Sequence, residues 1–255
     1  MIEFPIIIAV AGKGGAGKTV VTTLITKVLI TNGHYKLLLI DADPTHPHLS
    51  QMVKLLPQKT LEQIRSDAIE TTLEKKKSIQ KLADNIDYEV YNALSECKYF
   101  SLFSIGQPEG PGCFCPSNSL LRKVIESISK DFEIVLIDCE AGLEQINRMV
   151  IEKIDILLIV VDNSLRSVET AISIKKSADK FTHYKKIGII LNKAEGDTTL
   201  LLNKIEKSNL NLLAIIPEDS EVKEFDLVGK PLIEISKNSK IFIILEKLVE
   251  KLLTS

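Results

Sequence analysis

Residues 6–29 read IIIAVAGKGGAGKTVVTTLITKVL. A short apolar run leads into glycines, then a lysine and a threonine, then a segment with helical character. From Gly12 to Thr19 the pattern is G-x-x-x-x-G-K-[ST]. Glycines at 12, 14, 15 and 17 let backbone N–H groups converge on phosphate oxygens, and the helix that follows adds the positive end of its dipole. Lys18 is placed to reach the β- and γ-phosphates, and the Thr19 hydroxyl to coordinate Mg²⁺. Together with Ala16 and Val20, residues 12–20 form a predicted nucleotide-binding loop. The plain alternative is a glycine turn before a helix. The complete motif, after a strand and before a helix, favours the phosphate site.

Outward from this stretch, apolar runs alternate with helical segments. Strands are predicted at residues 6–11, 36–40, 100–105, 133–138, 156–161, 187–191 and 212–216. They are rich in Ile, Val and Leu without strict polar alternation, as in strands covered on both faces. Helices are predicted at 18–32, 119–130, 165–180, 200–208 and 239–253. Gly33 is expected to close the first in a left-handed cap, and Ser117 to cap the second. The expected fold is a single α/β domain: a mostly parallel twisted sheet with helices on both faces and right-handed connections. Residues 57–98, including LEKKKSIQKLADNIDYEVYNALSEC (73–97), break the rhythm and read as a mainly helical insertion without a strand.

Composition narrows the class. The 255 residues carry 32 basic and 34 acidic side chains, a net charge of −2, which argues against a general nucleic-acid binder. Four cysteines do not make a disulfide framework at this length. No apolar run approaches the roughly 18 residues needed to span a bilayer, and the start does not read as a signal peptide. A cytoplasmic location is expected. The amphipathic tail SKIFIILEKLVEKLLTS (239–255) alternates Glu246 and Glu250 with Lys247 and Lys251, so a helix packed on the sheet is expected rather than a membrane-seeking one.

Two further stretches complete a phosphate site. FEIVLIDCEAG (132–142) ends an apolar run on Asp138, the position of a carboxylate that holds Mg²⁺, in the plain alternative a strand-end turn cap. LLLIDADPTHPHLS (37–50) offers Asp41 and Asp43 in D-A-D-P, which is also good turn chemistry. His46 and His48 resemble a metal pair, but a Pro-bearing loop is a poor rigid scaffold for one.

GKGGAGKT resembles the deviant P-loop of the MinD/ParA, nitrogenase iron protein and ArsA class of ATPases. The resemblance implies that Lys13 reaches the nucleotide of a partner subunit, so that a homodimer closes on ATP. It places Asp43 at the position that activates the attacking water and beside Mg²⁺, with Asp41 in support. It also implies that Asn192, Lys193 and the later loop with Pro217 frame adenine. IILNKAEGD (189–197) comes close to the N-K-x-D signature that reads guanine, but Glu195 is one methylene too long, which favours ATP over GTP.

GQPEGPGCFCPSN (106–118) sets Cys113 and Cys115 one residue apart in a Gly/Pro-rich loop. They could be small buried hydrophobes, a strained redox pair, or incidental. Metal binding is the sharper reading: two thiolates are half of a Cys₄ site, and a twofold dimer presents the loop twice. Cys97 and Cys139 read as buried hydrophobes. With LIDCEAGLEQINR (136–148) and the P-loop, this stretch is similar to the CooC-type ATPases. That resemblance implies nickel or zinc at Cys113 and Cys115 across a dimer interface, and a client in carbon monoxide dehydrogenase or acetyl-CoA synthase. It further implies a γ-phosphate sensor at 138–144. Slow ATP hydrolysis in isolation is expected of such a switch, and the charge balance and paired tail charges predict no nucleic-acid or membrane partner. Val20, where Thr is usual, departs from the family. A positioning ATPase without a metal role, or an iron–sulfur carrier of the same fold, are the rival readings.

Overall fold

The computed structural model describes residues 4–33, 35–43, 48–64, 66–67, 88–106, 126–139 and 153–254. Eight strands form one sheet in the order β3-β4-β2-β5-β1-β6-β7-β8. The strands are β1 (Ile6–Gly12), β2 (Leu37–Ala42), β3 (Ser95–Glu96), β4 (Phe100–Ser104), β5 (Ile134–Cys139), β6 (Lys153–Val161), β7 (His183–Ala194) and β8 (Leu212–Pro217). All pairs are parallel except β3 with β4. β1 lies at the centre, with Ile8 in register with Leu136 on one side and Ile156 on the other.

Period-two alternation splits each central strand between two apolar cores. Leu37, Leu39, Leu102, Ile134 and Leu136 pack with the first helix, α1 (Lys18–Asn32). Leu38, Ile40, Phe103, Val135 and Ile137 point the opposite way. On the α1 side lie α2 (His48–Met52), a 3₁₀ turn at Leu232–Glu234 and the last helix. On the other lie α3 (Leu165–Phe181) and α4 (Thr199–Lys207). Burying a Leu or Ile completely is worth roughly 1.5–3 kcal/mol, so a sheet covered on both faces needs no polar alternation. After α5 (Ser220–Leu227), capped by the Asp219 carboxylate, α6 (Lys240–Thr254) buries Phe242, Leu245 and Leu248 in the α1-side core and packs on α1 and β8. The tail is therefore a packed helix. Among the described residues no helix is long and apolar enough to cross a membrane.

Three sequence expectations are corrected. The stretch 57–98 does contain a strand: β3 pairs antiparallel with β4, closing the edge by a hairpin through Cys97 and Tyr99. Cys97 is exposed, not a buried hydrophobe, while Cys139 is buried. Gly33 is extended, at φ −128°, not left-handed, and a Cβ there would come within 2.3 Å of the Tyr35 ring. Close approach, not positive φ, requires that glycine. Of the expected 119–130 helix, residues 126–129 are helical, and Ser117 lies outside the described residues.

Candidate nucleotide site

The strand order turns about β1: β2 and β5 lie to one side, β6 and β7 to the other, all parallel. Beyond the carboxyl ends of such strands an open α/β sheet leaves a crevice. A cleft of about 990 Å³ lies over the start of α1, lined by Gly14, Gly15, Gly17, Lys18, Thr19 and Val20. Asp43, His48, Asn192, Lys193 and Pro217 border the same space.

Two glycines of the cradle are individually required. Gly12 sits at φ +148°, and a Cβ on it would lie 2.2 Å from the Val160 carbonyl oxygen. Gly17 sits at φ +91°, and its Cβ would lie 2.3 Å from the Asn192 amide nitrogen. L side chains avoid such dihedrals, and here the space is also taken. Asn192 explains why: its Nδ2 donates to the Ala16 carbonyl at 2.9 Å, tying β7 to the loop. Lys193, at φ 55°, donates from Nζ to the Gly15 carbonyl at 3.2 Å. Asn192 and Lys193 thus brace the loop as well as line the cleft. Lys18 Nζ rests on the Lys13 carbonyl at 3.2 Å.

Carboxylates gather at the ends of β2 and β5. Asp138 accepts from the Thr19 hydroxyl at 2.7 Å and from Thr22 at 3.0 Å. Thr22 escaped the sequence reading, although it lies one helical turn beyond Thr19 on the same face. Asp41 is in register with Asp138, and its Oδ1 accepts from the Asp43 amide at 3.1 Å. Burial pushes the Asp138 carboxyl up to about 6, against the pull of the two hydroxyls and Lys18. Burial, reinforced by the neighbouring Asp138, pushes Asp41 up to about 8. A hydroxyl 2.7 Å from a buried carboxylate, a second buried carboxyl with an unpaired oxygen, and a loop that a Cβ would obstruct are a donor set that fits a Mg²⁺-bound nucleotide. Thr19, Asp138 and Asp43 would hold the ion, which would neutralise phosphate charge.

These shifts predict a pH dependence. A carboxyl whose folded value lies above its unfolded 3.8 binds more protons folded than unfolded, so its contribution to stability falls as pH rises to the folded value. The nucleotide-free protein should lose roughly 2 kcal/mol between pH 6 and 8 through Asp41. Thermal melts of parent and Asp41→Asn across that range check this. A slope that persists in the variant would exclude Asp41 as its source.

Lys13 turns away from its own cleft and pairs with Asp162 at 3.4 Å. Asp162 follows β6, also accepts from Ser164, and was not anticipated from sequence. Glu195 is exposed and outside the residues lining the cleft. Phe225, under the Lys230 ammonium at 4.4 Å, forms part of the cleft wall, another feature not anticipated. Cys113, Cys115, His46 and residues 140–144 lie outside the described residues; among the described ones no three His, Cys, Asp or Glu side chains cluster as a metal site.

A glycine cradle at a strand-to-helix turn, with a carboxylate on the neighbouring strand, defines a P-loop nucleotide-binding domain. The chain belongs to the CbiA family, the CobQ/CobB/MinD/ParA nucleotide-binding domain, whose model matches residues 7–232. It is 35% identical to an uncharacterized ATP-binding protein of Methanocaldococcus jannaschii, over 97% of this chain and 98% of that one. It is 31% identical to the carbon monoxide dehydrogenase accessory protein CooC of Rhodospirillum rubrum, over 87% of each. The cell division ATPase MinD of Pyrococcus furiosus superposes with a TM-score of 0.71 at 26% identity, covering 97% of this chain and 99% of that one.

Proposed function

We propose that this protein is an ATP-driven metallochaperone. It binds ATP and Mg²⁺ in the cleft over α1, closes as a homodimer through Lys13, and carries nickel or zinc on paired Cys113 and Cys115 loops. Hydrolysis, with Asp43 orienting the attacking water, reopens the dimer and releases the metal to carbon monoxide dehydrogenase or acetyl-CoA synthase. Adenine is the base read, by Asn192 and the Pro217 loop. The protein works in the cytoplasm.

The observation that carries the ATPase half is the meeting of Lys18, Thr19 and Asp43 on one cleft with Asp138 directly beneath Thr19. The metal half is supported by the Cys-x-Cys loop and by the similarity to CooC along most of the chain. Nickel or zinc titration should give one ion per two chains, because four thiolates complete one site. A Cys113→Ala, Cys115→Ala double variant should lose that ion and keep ATP binding. Full metal stoichiometry in the double variant would remove the chaperone assignment. The second reading is a MinD-like positioning ATPase, favoured by the fold match to the Pyrococcus protein. ATP-dependent sedimentation with lipid vesicles would select it.

A further inference from the structure

Among the described residues, three buried side-chain polar atoms have no hydrogen-bond partner: Thr23 Oγ1, Asp41 Oδ2 and Ser104 Oγ. Two of them are neighbours. Asp41 on β2 is in direct register with Ser104 on β4, and each is 1% exposed. Registered residues on adjacent parallel strands project to the same face, here the face covered by α1, where Leu39 and Leu102 also point. An acceptor oxygen and a hydroxyl therefore sit side by side in the buried layer beneath α1, neither with a hydrogen-bond partner. Buried polar groups in folded proteins are rarely left so, and ordered water is the usual partner. The geometry suits one. Backbones of adjacent strands run about 4.8 Å apart. Two hydrogen bonds of about 2.8 Å, bent at a single water oxygen, span nearly the same distance.

We propose that a buried water bridges Asp41 Oδ2 and Ser104 Oγ, and that Ser104 acts through it as a positioning residue for the loop that begins at Asp43. The surrounding contacts show why this position matters. Asp41 Oδ1 accepts from the Asp43 amide, so the orientation of the Asp41 carboxyl sets where the chain leaves the sheet. The Asp41 carbonyl accepts from the Ile105 amide at 2.9 Å, and the Ile105 carbonyl accepts from the Glu62 amide at 3.0 Å. Gly106, at φ +76°, is pressed against Thr60; a Cβ there would lie 2.5 Å from Thr60 Cβ. The main chain at the end of β4 is thus held from both sides. The water adds the missing side-chain link to Oδ2 of the Asp41 carboxyl, which the Asp43 and Leu49 amides already hold from the main chain. Ser104 touches neither nucleotide nor metal in this scheme.

The catalytic consequence rests on the ATPase reading above; the water itself does not. A crystal structure resolving buried waters should show one within hydrogen-bond distance of both oxygens, and its absence would overturn the proposal. By NMR hydrogen exchange on the nucleotide-free protein, Ser104→Ala should speed exchange of the Asp43 amide about tenfold, whereas Ser104→Thr, which keeps the hydroxyl, should stay near the parent. Equal exchange in parent and Ser104→Ala, or the same acceleration in Ser104→Thr, would overturn it too. In steady-state hydrolysis Ser104→Ala should lower kcat about tenfold with KM for ATP unchanged, with no further loss in an Asp41→Asn background; additive losses would count against it. Should the parent release no phosphate, the ATPase reading fails, while density and exchange still decide the water.

Discussion

Replacing Asp43 by Asn should slow phosphate release by about 10²–10⁴-fold while ATP affinity stays within a few-fold of the parent. The side chain borders the cleft at the exit of β2, and the Asp43 amide donates to Asp41 Oδ1. The substitution keeps that amide and the shape of the side chain, and removes the charge. A water attacking the γ-phosphate needs such an acceptor to orient its protons, and the neutral amide of Asn serves poorly. On the proposed reading nucleotide affinity comes from other groups: the cradle amides, Lys18, and the Thr19–Asp138 pair. Asp138→Asn makes the contrast, since it should weaken the Mg²⁺ dependence of ATP binding itself. Single-turnover hydrolysis beside equilibrium binding separates the two variants. An Asp43→Asn protein that hydrolyses ATP within threefold of the parent would move catalysis elsewhere.

Particular residues show how far the sequence could be read. α1 begins at Lys18 and ends at Asn32, the predicted bounds, because a glycine loop defines its start and the change of composition at Gly33 its end. Strands β1, β2, β4, β5 and β8 lie within two residues of expectation because both-face burial writes a continuous apolar run. Strand ends reaching into polar sequence did not show: β6 begins at Lys153 and β7 at His183, where pairing with a neighbour rather than side-chain burial extends the ladder. β3 is two residues long, too short for any period to register, and α2 has five. At the site, Gly14, Gly15, Gly17, Lys18 and Thr19 of the motif line one cleft. What stayed invisible was the company these residues keep. Asn192 and Lys193 grip the P-loop, Thr22 shares Asp138, and Asp162 holds Lys13. Each joins residues more than a hundred positions apart, and only the strand order brings them together.

Lys13→Ala should reduce hydrolysis about 10³-fold or more, yet leave nucleotide binding by a single chain nearly unchanged. The Lys13 backbone faces inward, its carbonyl holding Lys18 Nζ, while its side chain leaves the cleft and reaches Asp162. Lys13 is not among the residues lining its own cleft, and on the proposed reading the phosphate it contacts belongs to a second copy. The ion pair to Asp162 is no obstacle. At 3.4 Å, with the lysine 39% exposed, it is worth at most about 1 kcal/mol and is readily exchanged for a phosphate. A cation delivered in trans to the transferring phosphoryl group is worth far more, about 10³–10⁵ in rate where an arginine plays the part. Action in trans has a direct signature. Lys13→Ala and Asp43→Asn chains should each be nearly inactive alone, yet regain activity when mixed. In a mixed dimer the Lys13→Ala chain keeps Asp43 and receives Lys13 from its partner, so one of its two sites is complete. Half the dimers in an equal mixture are mixed, so recovery should approach about one quarter of the parental rate. No recovery on mixing, with dimers confirmed by sedimentation, would place Lys13 in its own site and remove the reason to expect a nucleotide-closed dimer.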